Sequence, residues 1–252
     1  MNATAIDQFI YEDDGVTTIQ SAELTTAEAK QMAARSNMYA LLADVFRYPD
    51  SEFLAFVRQG DLRQFVPEMA ANLPFSLSLS VEETERLNVT EEITNDDVEA
   101  GFIRLFEAGP GDPPCPLVEV KHVRDANRRA IFEDLIRFYN HFGLSYAEGS
   151  HEDRPDHIIY EVEFMHYLAF LTLRAVQESK DSHDYLLAQR DFIAHHLLKW
   201  SDGLAQRLRE IAAELEEDQV AHFYANLAGL LDRFVRGDYE YLVTSLDREE
   251  ES

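Results

Sequence analysis

The sequence has one cysteine, Cys115, among its 252 residues, so an internal disulfide and a zinc site built from several thiolates are both excluded. It also lacks any stretch of roughly 18 uninterrupted apolar residues, the length that a membrane span requires. The first residues, MNATAIDQFIYEDDGVTT, have neither the basic region nor the apolar region of an export signal. We therefore expect a cytoplasmic chain with no stable membrane insertion.

Basic residues are scarce as well. The chain has 22 Lys and Arg against 48 Asp and Glu, a net charge of −26, and only four of the basic residues are lysines. A surface this negative repels phosphate backbones, so we expect no nucleic-acid partner. It favours basic partners and cationic peptides. Adaptation to a high-salt host is an alternative explanation of the acidity, and the two explanations can both hold.

Apolar residues recur at helical spacing along most of the chain. The pattern predicts a helix that starts near Thr25 and ends before Pro49, and a second, short helix capped by Asp50. Further helices are predicted before Gly143 and over about 156–178, 183–216 and 218–236. The helix over 183–216 could break at Ser201–Gly203. Residues 75–81 alternate as in a strand, but a lone strand is unstable, so we expect an extended linker there.

These segments predict an all-α fold, a single-domain helical bundle. Residues 1–24 are acidic and show no periodicity, so we expect them to form a mobile N-terminal arm. The helical domain is predicted to cover 25–237. Residues 238–252, which end in the charge run DREEES, are predicted to be an acidic C-terminal tail.

The sequence carries no motif of a nucleotide-binding or hydrolytic enzyme. It has no phosphate-binding loop, no Gly-x-Gly-x-x-Gly and no Gly-x-Ser-x-Gly. Cys115 lies between prolines without a histidine partner in any motif, which is typical of a loop residue and not of a nucleophile. We therefore predict that the chain is not an enzyme and uses no cofactor of its own.

A metal centre is the main alternative. Helical di-iron proteins use two Glu-x-x-His pairs and two further glutamates. The sequence has two such pairs, Glu163–His166 and Glu119–His122. Glu119 closely follows Pro116 at the exit of a proline-rich stretch, and Glu163 lies off the apolar stripe of its helix. The context therefore argues against a metal site, and metal analysis of the purified protein would decide between the two.

Residues 151–168, HEDRPDHIIYEVEFMHYL, combine three histidines with several carboxylates. We expect Asp153 or Arg154 to cap a helix that has Pro155 in its first turn, where a missing N–H costs nothing. Asp156 would then lie beside the positive end of the helix dipole. A strong helix start is thus one sufficient explanation of these residues.

A binding role is the other explanation of the same stretch. Asp156, His157 and Glu161 are spaced to form one polar cluster on the helix. Such a cluster suits an arginine-bearing peptide, because a guanidinium group pairs bidentately with carboxylates. Composition alone leaves the two explanations open.

Three stretches resemble the TorD/DmsD/NarJ family of redox-enzyme maturation chaperones, in particular the branch that serves type II DMSO-reductase-like molybdoenzymes. EDRPDHIIYEVEFM is similar to the family's Glu-x-x-Pro-Asp-His-x-x-x-Glu-x-x-Phe-Met signature. It matches that signature at Glu152, Pro155, Asp156, His157, Glu161, Phe164 and Met165. FIRLFEAGPGDPPCPLVEV resembles the proline-rich segment that precedes it, although CPLVEV is aliphatic where the family often has an aromatic residue. RDFIAHHLLKWSDGLAQRLRE and AHFYANLAGLLDRFV resemble the closing helices.

The resemblance covers about residues 30–236 and implies a TorD-like helical chaperone. Such a chaperone binds the twin-arginine signal peptide of a partner, the precursor of a molybdenum-containing oxidoreductase catalytic subunit. It holds that partner until the molybdenum cofactor is inserted. A monomer is expected, or a dimer that exchanges halves through the hinge 107–118.

The resemblance also implies a binding site. We expect Asp156 and Glu161 to hold the guanidinium groups of the peptide and His157 to bond its backbone, with Glu152 and Pro155 in the same motif. The apolar part of the peptide would lie on Leu105, Phe106, Pro113 and Pro114. Titration of histidine near neutral pH could adjust release.

Overall fold

The computed structural model of the chain describes residues 26–90, 92–144 and 154–250. Helices occupy most of these residues. In chain order they are α1 (Ala27–Val45), α2 (Ser51–Arg58), α3 (Asp61–Ala71), α4 (Val81–Glu85), α5 (Asn95–Phe102), α6 (Arg128–His141), α7 (Ile158–Gln177), α8 (His183–Phe192), α9 (Leu198–Glu214) and α10 (Gln219–Glu250). The predicted arm 1–24 and Glu152 lie outside the described residues, so both stay predictions.

The described ranges contain no β-strand, only an isolated bridge between Val118 and His157. Residues 76–80 form neither helix nor strand, in agreement with the linker interpretation of that stretch. The predicted all-α helical bundle is therefore confirmed. Within the same ranges, no helix is both long enough and apolar enough to cross a membrane.

The first helices start at the side chains that cap them. Thr26, one residue after the predicted position, accepts a hydrogen bond from the Ala29 backbone N–H at 3.1 Å and begins α1. Asp50 begins α2 as predicted, and its side chain accepts from the Phe53 N–H at 2.8 Å. Each cap satisfies one of the N–H groups that a helix start leaves without a partner.

The core lies between two long helix pairs, since α1 packs along α7 and α9 packs along α10. The apolar face of α1 is buried from Met32 to Phe46. The largest fully buried side chains include Trp200, Tyr39, Tyr139, Phe164, Phe192, Phe223 and Phe234. Burial of one such side chain contributes roughly 1.5–3 kcal/mol, so these contacts hold the bundle together.

Two helices contain π-helical turns, Ile103–Glu107 after α5 and Ile193–Leu197 between α8 and α9. The break predicted at Ser201–Gly203 is wrong, because α9 continues through these residues. The irregular turn lies before α9 and carries one more residue than an α-helical turn. Such turns are rare and are frequently found at functional sites.

The predicted C-terminal boundary at residue 237 is wrong. α10 continues to Glu250, and Asp238, Leu242 and Leu246 on this extension are buried. Gly237 does not end the helix; it allows a close approach, since a Cβ there would lie 2.5 Å from Cδ2 of Phe75. The many acidic residues after 237 suggest a solvated tail, although Asp238, Leu242 and Leu246 repeat at helical spacing.

A buried ion pair joins the first helix of the bundle, α1, to the last, α10. Arg35 on α1 and Asp238 on α10 are both fully buried, and the guanidinium donates to both carboxylate oxygens. Tyr39 donates to the same carboxylate at 2.8 Å. Because burial and the negative charge of Asp238 both disfavour a phenolate, the pKa of Tyr39 is raised well above its usual range.

The same arginine reaches two further helices. Its Nη2 donates to the Gln189 side chain on α8 at 2.7 Å, and Gln189 in turn donates to Thr172 on α7 at 2.8 Å. Thr172 and Gln189 are both buried. One hydrogen-bonded network therefore connects α1, α7, α8 and α10.

We predict that Asp238→Asn lowers the free energy of unfolding by about 3–5 kcal/mol, because it leaves the buried charge of Arg35 without its counter-ion. Urea denaturation followed by circular dichroism measures this change. If residues after 237 were a solvated tail, the substitution would leave the denaturation midpoint unchanged.

Glu133→Gln is the matched control, since it breaks an ion pair with Arg129 in which both side chains are exposed. We expect no measurable shift of the midpoint from it. Should Asp238→Asn fail to fold, Tyr39→Phe removes one bond to the same carboxylate and is expected to cost about 1.5–3 kcal/mol.

Candidate functional site

The proline-rich connection between α5 and α6 folds back onto the π-helical turn that precedes it. The Cys115 N–H donates to the Leu105 carbonyl at 2.9 Å, and Arg207 on α9 donates to the Pro114 carbonyl at 3.1 Å. Leu105 and Phe106 are buried, Pro113 is half-buried and Pro114 is exposed. The structure thus brings together the four residues predicted to take the apolar part of a peptide, with only the prolines at the surface.

The Pro-Asp-His motif holds the other end of this connection. The Asp156 carbonyl accepts from the Glu119 N–H at 2.9 Å, and the Leu117 carbonyl accepts from the Ile158 N–H at 3.0 Å. The Asp156 carboxylate also accepts from the Val120 N–H at 3.2 Å. The two stretches singled out in the sequence therefore meet in one site.

The start of α7 lies later than predicted. His157 is the N-cap residue, and its Nδ1 accepts from the Ile159 N–H at 3.3 Å. Pro155 is in the turn before the helix, where its carbonyl accepts from the Tyr139 hydroxyl at 3.0 Å. Arg154 does not cap the helix as predicted, and Asp153 lies outside the described residues.

Asp156 already holds a guanidinium group, that of Arg154. The Arg154 Nε donates to one carboxylate oxygen at 2.9 Å and its Nη2 to the other at 2.7 Å. Asp156 is fully buried, whereas the Arg154 side chain is 27% exposed and lies over the Phe132 ring. The Asp156 carboxylate is thus occupied by a guanidinium of its own chain, and its predicted contact with a client arginine stays a prediction.

Glu161 does not fit its predicted role as a direct contact of a guest arginine. Its side chain is fully buried and accepts from the Trp200 indole N–H at 3.0 Å, while the Oε1 atom has no hydrogen-bond partner. Burial and, next, the charge of Glu119 raise the pKa of Glu161 well above its usual range. Because solvent does not reach this side chain, an arginine from outside does not contact it in the described structure.

Glu119 and His196 complete this buried polar cluster. His196, in the second π-helical turn, lies with Nδ1 2.9 Å from Glu119 Oε2 and with Nε2 3.5 Å from Asp134 Oδ2 on α6. His122 stacks on Trp200 and contacts the Pro116 carbonyl at 2.7 Å. Sequence reasoning missed this cluster, because His196 is 77 residues from Glu119 and no short motif connects them.

The two Glu-x-x-His pairs do not form a shared centre. Glu163 pairs with Arg47, and His166 contacts the Ser36 hydroxyl at 2.9 Å. Across the part of the chain that the structure describes, no group of three or more His, Cys, Asp and Glu side chains is arranged to hold a metal ion.

Comparison with known proteins now gives the family. The family described as "Nitrate reductase delta subunit" matches residues 59–206. The chain is similar to the perchlorate reductase assembly chaperone protein of Dechloromonas aromatica (strain RCB), with 32% identity over 219 residues, which are 85% of this chain and 92% of that protein. The chain belongs to the nitrate reductase delta subunit family.

Two further relatives of this family member have similar descriptions. The selenate reductase assembly chaperone protein of Thauera selenatis is 34% identical over 125 residues, 50% of this chain and 64% of that protein. The chlorate reductase assembly chaperone protein of Ideonella dechloratans is 30% identical over 149 residues, 59% of this chain and 74% of that protein. The resemblance to redox-enzyme maturation chaperones is confirmed.

This member of the family is an assembly chaperone and not an enzyme, as predicted. The di-iron alternative is wrong, since the relatives are assembly chaperones and the four residues of the Glu-x-x-His pairs make separate contacts. The roles of the individual site residues stay predictions.

We predict that Glu161→Gln changes how stability depends on pH. Because the folded state raises the pKa of Glu161, the native chain binds a proton more readily than the unfolded chain. This group therefore makes stability fall as pH rises from about 4.5, its ordinary value, by at most roughly 1.4 kcal/mol per pH unit. The amide introduced by the substitution would stay neutral at every pH and keep the bond from Trp200.

Urea denaturation between pH 4 and pH 8 tests this. The stability of Glu161→Gln relative to the unsubstituted chain is expected to increase as pH rises from about 4.5 and to level off above the raised pKa of Glu161. Glu82→Gln is the control, because its side chain is 72% exposed and should give a curve parallel to that of the unsubstituted chain. If the curve of Glu161→Gln were parallel to that of the unsubstituted chain, the raised pKa of Glu161 would be contradicted.

Proposed function

We propose that the chain is a cytoplasmic chaperone for the catalytic subunit of a molybdenum-containing oxidoreductase. It binds the twin-arginine signal peptide or the apo form of this client and holds it until the molybdenum cofactor is inserted, before export or assembly. The observation that carries the proposal is the similarity to the perchlorate reductase assembly chaperone protein, which spans 85% of this chain and 92% of that protein. A client of the same kind, a reductase for an oxyanion, follows most directly from it.

The charge of the chain supports a basic client segment. At −26 the chain attracts a peptide with adjacent arginines, and such attraction increases the rate of association and favours the correct partner. The attraction weakens with ionic strength. Binding is therefore expected to be stronger at low salt.

The proposed contact surface is the edge of the proline-rich connection. Pro114 is exposed and Pro113 half-buried, over the buried Leu105 and Phe106. Ile103 and Leu215 leave 37% and 40% of their surface exposed and belong to the two segments that the Arg104–Asp218 ion pair joins. Rigid prolines and exposed apolar side chains both suit the apolar part of a signal peptide.

The Pro-Asp-His motif is hydrogen-bonded to the proline-rich connection that forms this surface. Asp156 fixes the connection through the Glu119 and Val120 N–H groups, whereas Pro155 and the buried Glu161 bond Tyr139 and Trp200. His157 is the half-buried member of the motif that a client backbone can approach. A client guanidinium reaches Asp156 only by replacing that of Arg154. Glu152 belongs to the same motif by resemblance, and a contact with the client stays a proposal for it.

We predict that the tagged chain, isolated from its native host, co-purifies with the unprocessed catalytic subunit of a molybdenum-containing reductase. Mass spectrometry identifies the subunit and its retained signal peptide. Isolation of the chain without any such precursor, under conditions that induce the reductase, would contradict the proposed function. Light scattering of the same material distinguishes a monomer from a dimer that exchanges halves through 107–118.

We further predict that Ile103→Asp/Leu215→Asp weakens binding of the client signal peptide at least tenfold in calorimetry, since it places charge where apolar contact is expected. Val81→Asp is the control: Val81 is 76% exposed on α4, and its substitution should leave the affinity unchanged. Equal affinities of all three proteins would place the peptide elsewhere.

A further inference from the structure

A groove separate from the proline-rich edge opens between α6 and α8. Its volume is about 470 Å³, and its wall includes Asp134 and Phe138 of α6 and Asp184 and Asp191 of α8. The site described above faces the other side of His196, whose ring lies 5.8 Å from that of Phe138. The groove therefore shares a wall with the buried cluster but has its own opening.

The floor of the groove is aromatic. Phe138 and Phe142 are half-buried, and their rings contact the buried Phe164 ring at 6.3 Å and 5.9 Å. Phe138 also meets Phe192 edge to face at 5.2 Å. These contacts fix both rings, so that they can receive a cation or the methylene groups of a long side chain.

The carboxylates of the groove outnumber its arginine: Asp134, Asp184 and Asp191 line it together with Arg137, and His141 and His195 belong to the same lining. Asp134 pairs with Arg137, whose side chain is 76% exposed, and Asp191 pairs with the neighbouring Arg190. Asp184 is exposed. A guest guanidinium can replace Arg137 at little cost, because an exposed ion pair contributes little to stability.

A buried histidine lies behind the wall of the groove. His196 is 2% exposed, and its Nε2, which has no hydrogen-bond partner, lies 3.5 Å from the Asp134 carboxylate. The opposite ring nitrogen contacts Glu119. A polar atom left without a partner in the interior is costly, and here it lies next to the groove carboxylate that a guest would contact.

The charge of the chain excludes its own segments and a second copy as occupants. Residues 1–25 contain five acidic residues and no lysine or arginine, and 145–153 likewise contain no lysine or arginine. A second copy would bring a charge of −26 to a groove whose carboxylates outnumber its arginine. A positively charged segment of another polypeptide is the complementary occupant.

We infer that the groove between α6 and α8 binds an arginine-bearing segment of the client polypeptide, with its guanidinium groups on Asp134 and Asp184 and its aliphatic stems on Phe138 and Phe142. This inference rests on the proposed function and adds where the arginines are recognised. Recognition then has two parts, since the apolar stretch of the client lies on the proline-rich edge and its arginines lie in the groove.

Fluorescence anisotropy with a labelled synthetic peptide tests the inference. The peptide carries two adjacent arginines followed by four apolar residues, and a second peptide has alanines in place of the arginines. We expect the full chain to prefer the arginine peptide at least tenfold at low salt. Asp134→Asn/Asp184→Asn is expected to abolish that preference, whereas Glu240→Gln/Asp247→Asn, which also removes two negative charges but at exposed positions of α10, should keep it.

Asp184→Asn alone is the second variant in case the change at Asp134, which lies near His196, prevents folding. It should reduce the preference by at least threefold. A benzophenone placed on the arginine peptide should form adducts within 128–142 or 183–197. An unchanged preference in the groove variants, adducts only elsewhere, or no preference in the unsubstituted chain would each overturn the inference. The proposed function would still stand in all three cases if the reductase precursor co-purifies, and it would fail on its own if it does not.

Discussion

The bundle depends on one buried ion pair, Arg35 with Asp238. Two charges in the interior are tolerated only while each satisfies the other and its remaining hydrogen bonds are made. Tyr39 completes the shell of the carboxylate, and Gln189 extends that of the guanidinium towards α7. A sliding movement of α1 or α10 would leave a buried charge unsatisfied, and one of α7 or α8 would break a buried hydrogen bond of the same network. The ion pair therefore fixes how the helices are aligned, whereas the apolar contacts supply most of the stability.

The local parts of the fold were predictable from the sequence. Asp50 predicts a helix start because its side chain accepts a hydrogen bond from the N–H group three residues later. Such a contact depends only on residues that are close in the sequence. The end of α10 was not predictable in this way. In the sequence, Gly237 resembles the glycine that ends a helix. Two distant contacts show that the helix continues: the Phe75 ring packs against Gly237, and Asp238 pairs with Arg35, 203 residues earlier.

In the candidate site, too, the local features were predictable from the sequence and the long-range contacts were not. The prolines and the Pro-Asp-His motif were recognised from short stretches that resemble a family. The burial of Asp156 was not predictable, because its carboxylate bonds a backbone segment 36 residues earlier in the chain. The groove between α6 and α8 gave no signal at all: each of its carboxylates is an ordinary residue on the polar face of its own helix. Only packing of the two helices sets them beside the aromatic rings.

The π-helical turns at 103–107 and 193–197 have a consequence for the history of the family. Each accommodates one residue more than an α-helical turn, and loss of that residue would restore an ordinary helix without breaking the chain. The helices on both sides would keep their orientation, because the extra residue is accommodated within the turn itself. Leu105 and His196 would then turn away from their present neighbours. Lineages that differ in length by one residue at either turn are thus expected to differ in which clients they accept, with the rest of the bundle unaltered.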